Sequence, residues 1–202
     1  MKIRNLRIGD ASEIYDLFSS AQVSRESERT SGFCEYDLTE EEIRERLKLS
    51  KLAGLGLGLI RDNNRIAGYL IGYPTGFGKE LDDNILTSVN APQDTIYVDQ
   101  FYMAHGLGVH NAGRLGDLFM HLARDRTQTG VICAIPQLPW RNVASTRIAM
   151  ANGYKRVGNV AEGDLSLGIF AKPFWNFGEV SRSFPIEIAG GKRWQDIKEK
   201  MF

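Results

Sequence analysis

Glycine gathers at Gly106, Gly108, Gly113 and Gly116, where a strand-like run hands over to a helix-like one. Without a Cβ, glycine lets backbone amides approach a ligand closely. The first amides of a helix point outward with no partner inside the helix, and the positive end of its dipole lies behind them. A diphosphate docks readily on such a terminus. His110 and Arg114 stand in the same stretch and add charge and hydrogen-bond donors for phosphates. The plainer reading is a glycine-rich loop that serves only the turn.

Other residues of chemical interest point elsewhere. His105, His110 and His121 lie close in sequence, but no cysteine or acid stands at ligand spacing and His121 falls on the helix, so no metal site is expected. Cys34 and Cys133 show neither metal nor redox spacing and read as reduced thiols. The Gly54, Gly56, Gly58 series precedes a hairpin instead of opening a helix, which argues against a nucleotide loop. Gly78-Lys79 is followed by Glu80, with Tyr73 in the first glycine slot, so it is no phosphate loop.

The elements that must position these residues follow from periodicity and punctuation. Lys2–Ile8 reads as a short strand, and Gly9-Asp10 turns into a helix over Ala11–Phe18. Residues 19–38 are polar and aperiodic, a loop or broken helix. Thr39-Glu40-Glu41-Glu42 starts a helix with a hydroxyl cap and acids in the first turn, and Gly54 stops it. Leu55–Ile60 and Arg65–Tyr73 form a hairpin about Asp62-Asn63-Asn64. After a polar excursion over 75–94 come a strand at Thr95–Met103, a helix at Asn111–Thr127, a strand at Val131–Ile135 and a helix at Asn142–Asn152. Strands at Lys155–Val160 and Leu165–Ala171 finish a β-α-α-β-β-β-α-β-α-β-β order, and Trp194–Met201 has helical character. That order indicates a mixed α/β sheet.

Composition narrows the function classes. Twenty-five basic side chains meet 25 acidic ones, and 43% of residues are apolar. A chain that lives on nucleic acid or anionic membrane carries a basic surplus, which is absent here. Leu52–Ile60, the longest glycine-and-apolar run, falls far short of the roughly 20 residues of a membrane span. Met1–Leu6 is charged and lacks the apolar core of a signal peptide. The expectation is a soluble cytoplasmic protein forming one domain over residues 1–202.

The run His110-Asn111-Ala112-Gly113-Arg114-Leu115, followed by Leu118-Phe119 and Leu122, resembles the diphosphate loop and helix of the GNAT (GCN5-related N-acetyltransferase) superfamily. That family reads Arg/Gln-x-x-Gly-x-Gly/Ala, so His110 and Leu115 are departures. A competing register puts Gly106-Leu107-Gly108 in the loop. It is set aside because the helix would carry Gly113 and Gly116 inside it and lose its apolar phase. Pro139-Trp140-Arg141-Asn142, Ser145, Ile148 and Gly153-Tyr154 match a second family motif more fully.

The resemblance implies a mostly antiparallel sheet with flanking helices and a splayed central parallel strand pair. It implies acetyl-CoA as co-substrate, bound by the backbone of Phe101, Tyr102 and Met103, by residues His110 to Gly116 (including Asn111, Ala112, Gly113, Arg114 and Leu115), and by Asn142 and Ser145. The acceptor amine would attack the thioester directly. An alkyl ammonium has a pKa near ~10, so a base is needed. Asp99 is the candidate, on the face of Met103 by period-two alternation, with a structural carboxylate as the other reading. Relatives carry a proton-donating Tyr where this chain has Ala149, leaving Tyr102 or water to serve the departing thiolate. The implied activity is N-acetylation of a small amine or amino-acid-like acceptor, shaped by residues 19–38 with Arg25, Glu26, Glu28, Arg29 and Cys34. A coenzyme-A-binding sensor without catalysis and a protein N-acetyltransferase are the alternatives. Trp140 and Trp175 read as packing, and a homodimer is left open.

Overall fold

The computed structural model describes residues 1–21, 38–75, 94–104, 106–127, 129–138, 141–162 and 165–174. The expected acceptor segment beyond residue 21, most of the 75–94 excursion, His105, Trp140, Trp175 and the tail helix lie outside the described residues. The elements follow the anticipated order: β1 (Lys2–Asn5), α1 (Ala11–Ala21), α2 (Glu40–Ala53), β2 (Gly56–Ile60), β3 (Ile66–Pro74), β4 (Ile96–Met103), α3 (Gly108–Arg124), β5 (Gly130–Leu138), α4 (Val143–Ala151), β6 (Lys155–Glu162) and β7 (Leu165–Pro173). The strands run β1-β2-β3-β4-β5-β7-β6 in a seven-stranded sheet, antiparallel apart from one parallel pair. Among the described residues no helix is long and apolar enough to cross a membrane.

Contacts gather the chain into two compact units. The first holds β1 to β3, nearly all of β4, and α1 to α3. Opposed pairs Gly56↔Ile71 and Gly58↔Tyr69 put Tyr69, Ile71 and Tyr73 on one face of the sheet. A Cβ at Gly56 would lie 2.7 Å from Ser50 Oγ, so α2 packs on that face. A Cβ at Gly72 would lie 2.6 Å from the Phe119 ring, so α3 covers the opposite one. Gly56 and Gly72 are thus places where helices approach the sheet closely. Helix α2 is fixed at both ends. Thr39 Oγ1 accepts from the Glu42 amide while Glu42 reaches back to the Thr39 amide. Gly54 closes it in the left-handed region at φ 64°, and the Arg126 guanidinium donates to the Ala53 carbonyl and, at 2.8 Å, to that of Leu122.

The second unit is built on β5, α4, β6 and β7. Ile135, Ala149 and Phe170 form a core against which Cys133 and Tyr154 pack. Burial pushes the Cys133 thiol up to about 12, so it packs as a small apolar group. Asn142 caps α4 by accepting from the Ser145 amide at 3.0 Å, and Gly153 turns the chain at φ 80° before β6.

One boundary corrects the sequence reading. Helix α3 begins at Gly108, three residues before the expected Asn111 start, and both Gly113 and Gly116 lie inside it. The apolar phase survives because Ala112, Leu115, Phe119 and Ala123 form the buried stripe, while Leu118 is exposed. Two interior glycines weaken a helix but do not break it when such a stripe is buried. A Cβ at either Gly113 or Gly116 meets nothing within 4 Å. Gly113→Ala and Gly116→Ala are therefore expected to stabilise the protein by roughly 0.5–1 kcal/mol each in urea denaturation. Gly72→Ala, forced against Phe119, should cost about 1–3 kcal/mol.

Candidate functional site at the end of β4

Strand β4 ends in Phe101, Tyr102 and Met103, all half-buried. Its alternation is broken between Asp99 and Gln100. The Tyr73 hydroxyl donates to Asp99 at 3.1 Å, and its ring meets Tyr97 edge-on at 5.9 Å between centroids. The next tyrosine on that face, Tyr69, donates to Gln100 at 3.4 Å and packs its ring 5.8 Å from that of Tyr102. Odd-numbered and then even-numbered residues of β4 thus reach the tyrosine face. Met103 lies over Gly68 on the other side, where a Cβ would be 2.5 Å from its sulfur. The expectation that Asp99 and Met103 share a face is corrected accordingly, since period two holds only while alternation is unbroken.

Asp99 is paired with Arg46 of α2 at 2.7 Å, and the two side chains are 2% and 5% exposed. Burial raises the Asp99 carboxyl above its ordinary value, against the pull of Arg46 and of hydrogen bonds from Tyr73 and Gln100. Its described partners include a guanidinium and a tyrosine hydroxyl, the setting of a structural carboxylate. The structural reading of Asp99 is the one its surroundings support. Arg46 itself escaped the sequence reading, although a signal exists. With Ile43, Leu47, Ser50 and Ala53 it occupies the buried stripe of α2, and a charge in phase with core positions needs a buried partner.

Tyr102 is the accessible hydroxyl at this end of the strand. Its oxygen lies 3.5 Å from Ser20 Oγ, and Ser20 spends its own proton on the Leu17 carbonyl at 2.6 Å. Four residues further, Gly106 takes φ 83°, a conformation costly for any side chain, and Leu107 becomes the N-cap of α3 with no side-chain cap. Within α3 the geometry leaves the amides of Leu107, Gly108, Val109 and His110 without an intrahelical acceptor. No acid occupies the first turn. This terminus has features a diphosphate requires: amides without an intrahelical acceptor, a positive dipole end and no acid in its first turn.

The residues expected to grip the diphosphate divide into groups. His110 and Arg114 are exposed, one turn apart on α3. Asn111 donates its side-chain amide to the Leu107 carbonyl at 2.7 Å. Ala112 and Leu115 are buried, and the amides from Ala112 to Gly116 belong to the helix interior. The unpaired amides therefore lie about one turn earlier than the sequence placed them, in the Gly106-Leu107-Gly108 register that had been set aside. Asn142 and Ser145 are joined to each other at the start of α4.

The buried pair can be tested without reference to activity. Removing one partner of a buried ion pair typically costs 3–5 kcal/mol, whereas replacing both with apolar groups is often neutral. Arg46→Met is thus expected to lower unfolding free energy by roughly 3–5 kcal/mol, and Arg46→Met/Asp99→Leu to recover most of it in a double-mutant cycle.

No family model and no curated relative matches the chain. Solved structures do. YncA from Salmonella typhimurium, solved with its cofactor acetyl-CoA, aligns over 87% of this chain and 95% of its own at a TM-score of 0.61 and 15% identity. The ribosomal-protein-alanine N-acetyltransferase of Brucella melitensis aligns over 86% and 99% at 0.60 and 17%. The Drosophila melanogaster polyamine N acetyltransferase, which forms N acetylagmatine, aligns over 85% and 99% at 0.57 and 13%. At such identities the likeness is one of fold, and the fold of this chain is that of the GNAT acetyltransferases.

Proposed function

We propose that the protein is an acetyl-CoA-dependent N-acetyltransferase that transfers an acyl group directly to the amine of a small or amino-acid-like molecule. The observation that carries this is the glycine turn after β4, which leaves the first amides of α3 without an intrahelical acceptor in a first turn that holds no acid. The solved relative holding acetyl-CoA and those that acetylate a polyamine or a ribosomal-protein alanine support the reading.

An acyl-CoA thioester supplies an activated acyl carbon when bound. In this chain the amides of Leu107 to His110 receive the diphosphate, with His110 and Arg114 adding donors at the surface of α3. The backbone of Phe101 to Met103 orients the pantetheine arm. Tyr102 handles a proton at the reacting end. Its hydroxyl, 3.5 Å from Ser20 Oγ, donates its proton to the departing thiolate and regains one from solvent, while water takes the proton that the ammonium sheds before attack. Asp99 and Arg46 stand behind, holding Gln100, and through it Tyr69 and the ring of Tyr102. Ala149, packed in the core of the second unit, offers no proton donor and favours a second reading, a coenzyme-A-binding sensor without turnover.

Differential scanning fluorimetry with acetyl-CoA, followed by thiol release across an amine panel, separates the two. The enzyme reading expects stabilisation and turnover on at least one amine, with Tyr102→Phe losing about tenfold or more in kcat/KM. Stabilisation without turnover on any amine selects the sensor, and no stabilisation at millimolar acetyl-CoA counts against both. Gly108→Asp should act in opposite directions on fold and ligand. The apo protein is expected to keep or gain about 0.3–1 kcal/mol, because an acid suits a helix N-terminus, while the acetyl-CoA shift shrinks.

A further inference from the structure

Strand β5 breaks its ladder with β7 just before it ends. Pro136 opposes Leu167 and Leu138 opposes Ser166, so Gln137 is the extra residue of a bulge. Close by lies Gly168, in the interior of β7. A Cβ there would sit 3.1 Å from Gln137 Cγ, so the missing side chain makes room for the glutamine. The bulge thus seats a buried amide one residue from Leu138, which is 59% exposed.

Gln137 is 6% exposed, and its two polar ends are treated unequally. Its Nε2 donates to the carbonyls of Ile135 at 3.1 Å and Pro136 at 3.0 Å, and to Thr146 Oγ1 at 3.3 Å. The carbonyls fix the orientation of the amide, because they accept a hydrogen and have none to give. Its Oε1 is buried with no hydrogen-bond partner among the described residues. An unmatched buried acceptor destabilises a fold, and so does a glycine inside a strand. Both departures meet at one point, and a place where local rules fail together is where function is expected.

The chemistry of the oxygen selects its ligand. It only accepts, so the ligand brings an N–H or O–H. The groups bonded to the amide are neutral, two carbonyls and a hydroxyl. An ammonium taken out of water needs an opposite charge, which an amide oxygen does not supply. An alkyl amine, with a pKa near ~10, is such an ammonium at neutral pH. The N–H that fits is an uncharged one, and a peptide-type amide carries it.

We propose that Gln137 Oε1 receives an amide N–H of the acyl acceptor, which makes the acceptor an aminoacyl amide: a small amino-acid amide or the N-terminus of a peptide. Plain amines and free amino acids lack that donor. This deepens the acetyltransferase reading by naming its acceptor class, and it rests on that reading only for the fate of the bound molecule.

Calorimetric titration of the full chain without acyl-CoA tests the site with L-amino-acid N-methylamides and the matching methyl esters, in which oxygen replaces only the amide N–H. At least one N-methylamide is expected to bind about tenfold or more tighter than its ester, and the difference to fall below about twofold in Gln137→Met. No binding by any N-methylamide, equal binding of amide and ester, or a difference that persists in Gln137→Met overturns the site. If that variant fails to fold, a crystal structure of the wild type with the bound amide decides. The amide nitrogen is expected about 3 Å from Gln137 Oε1; a water there, or no ligand atom, overturns the site. Tripeptides with the same first residue separate the two sources, tighter binding than the N-methylamide pointing to a peptide and equal binding to a small amide. Amide-selective binding without acetyl-CoA turnover leaves the site standing and removes the enzyme reading. Turnover on amines with no preference for the amide does the reverse.

Discussion

One residue in a left-handed conformation sets the geometry of the candidate site. Gly106, at φ 83°, stops β4 and turns the chain so that α3 begins at Gly108. From that start the helical period carries Ala112, Leu115, Phe119 and Ala123 onto the sheet. A start three residues later would leave the same stripe in place but close the helix over different amides. The turn therefore fixes which backbone donors stay open, and the buried stripe locks it there.

Beneath the sheet's other face the arrangement is electrostatic. Arg46 and Asp99 are almost wholly removed from water, and such a pair adds little net stability compared with apolar residues. What it does here is hold the polar groups around it. The carboxylate takes the Tyr73 hydroxyl, its neighbour Gln100 takes that of Tyr69, and the break in alternation between them turns both toward the tyrosines. A strand that changes face midway presents Tyr102 on the side of Tyr69 and Ser20, and sends Met103 to the glycine-lined side. Functional chemistry at the end of β4 depends on that local departure from regular pleating.

Element order, the capping box at Thr39 and Glu42, and the glycine stop at Gly54 were all legible, because each rests on local rules. So was the cap at Asn142, whose motif spacing is an N-terminal signature of a helix. The start of α3 was misplaced by weighing interior glycine too heavily. Gly113 and Gly116 cost the helix free energy, but burial of Leu115 and Phe119 outweighs them, a tertiary effect that propensity does not contain. Asp99 was found and its partner missed. Its pairing with Arg46 spans 53 positions, and only the phase of Arg46 within α2 hinted at it.

The central claim is that the amides opening α3 receive the diphosphate of an acyl carrier. Titrating coenzyme A into 15N-labelled protein and following backbone amide resonances measures this residue by residue. The account predicts the largest shifts at Leu107, Gly108, Val109 and His110, with Ala112 to Leu115 moving little. Shifts confined to the helix interior, or none anywhere between residues 106 and 116, would contradict it.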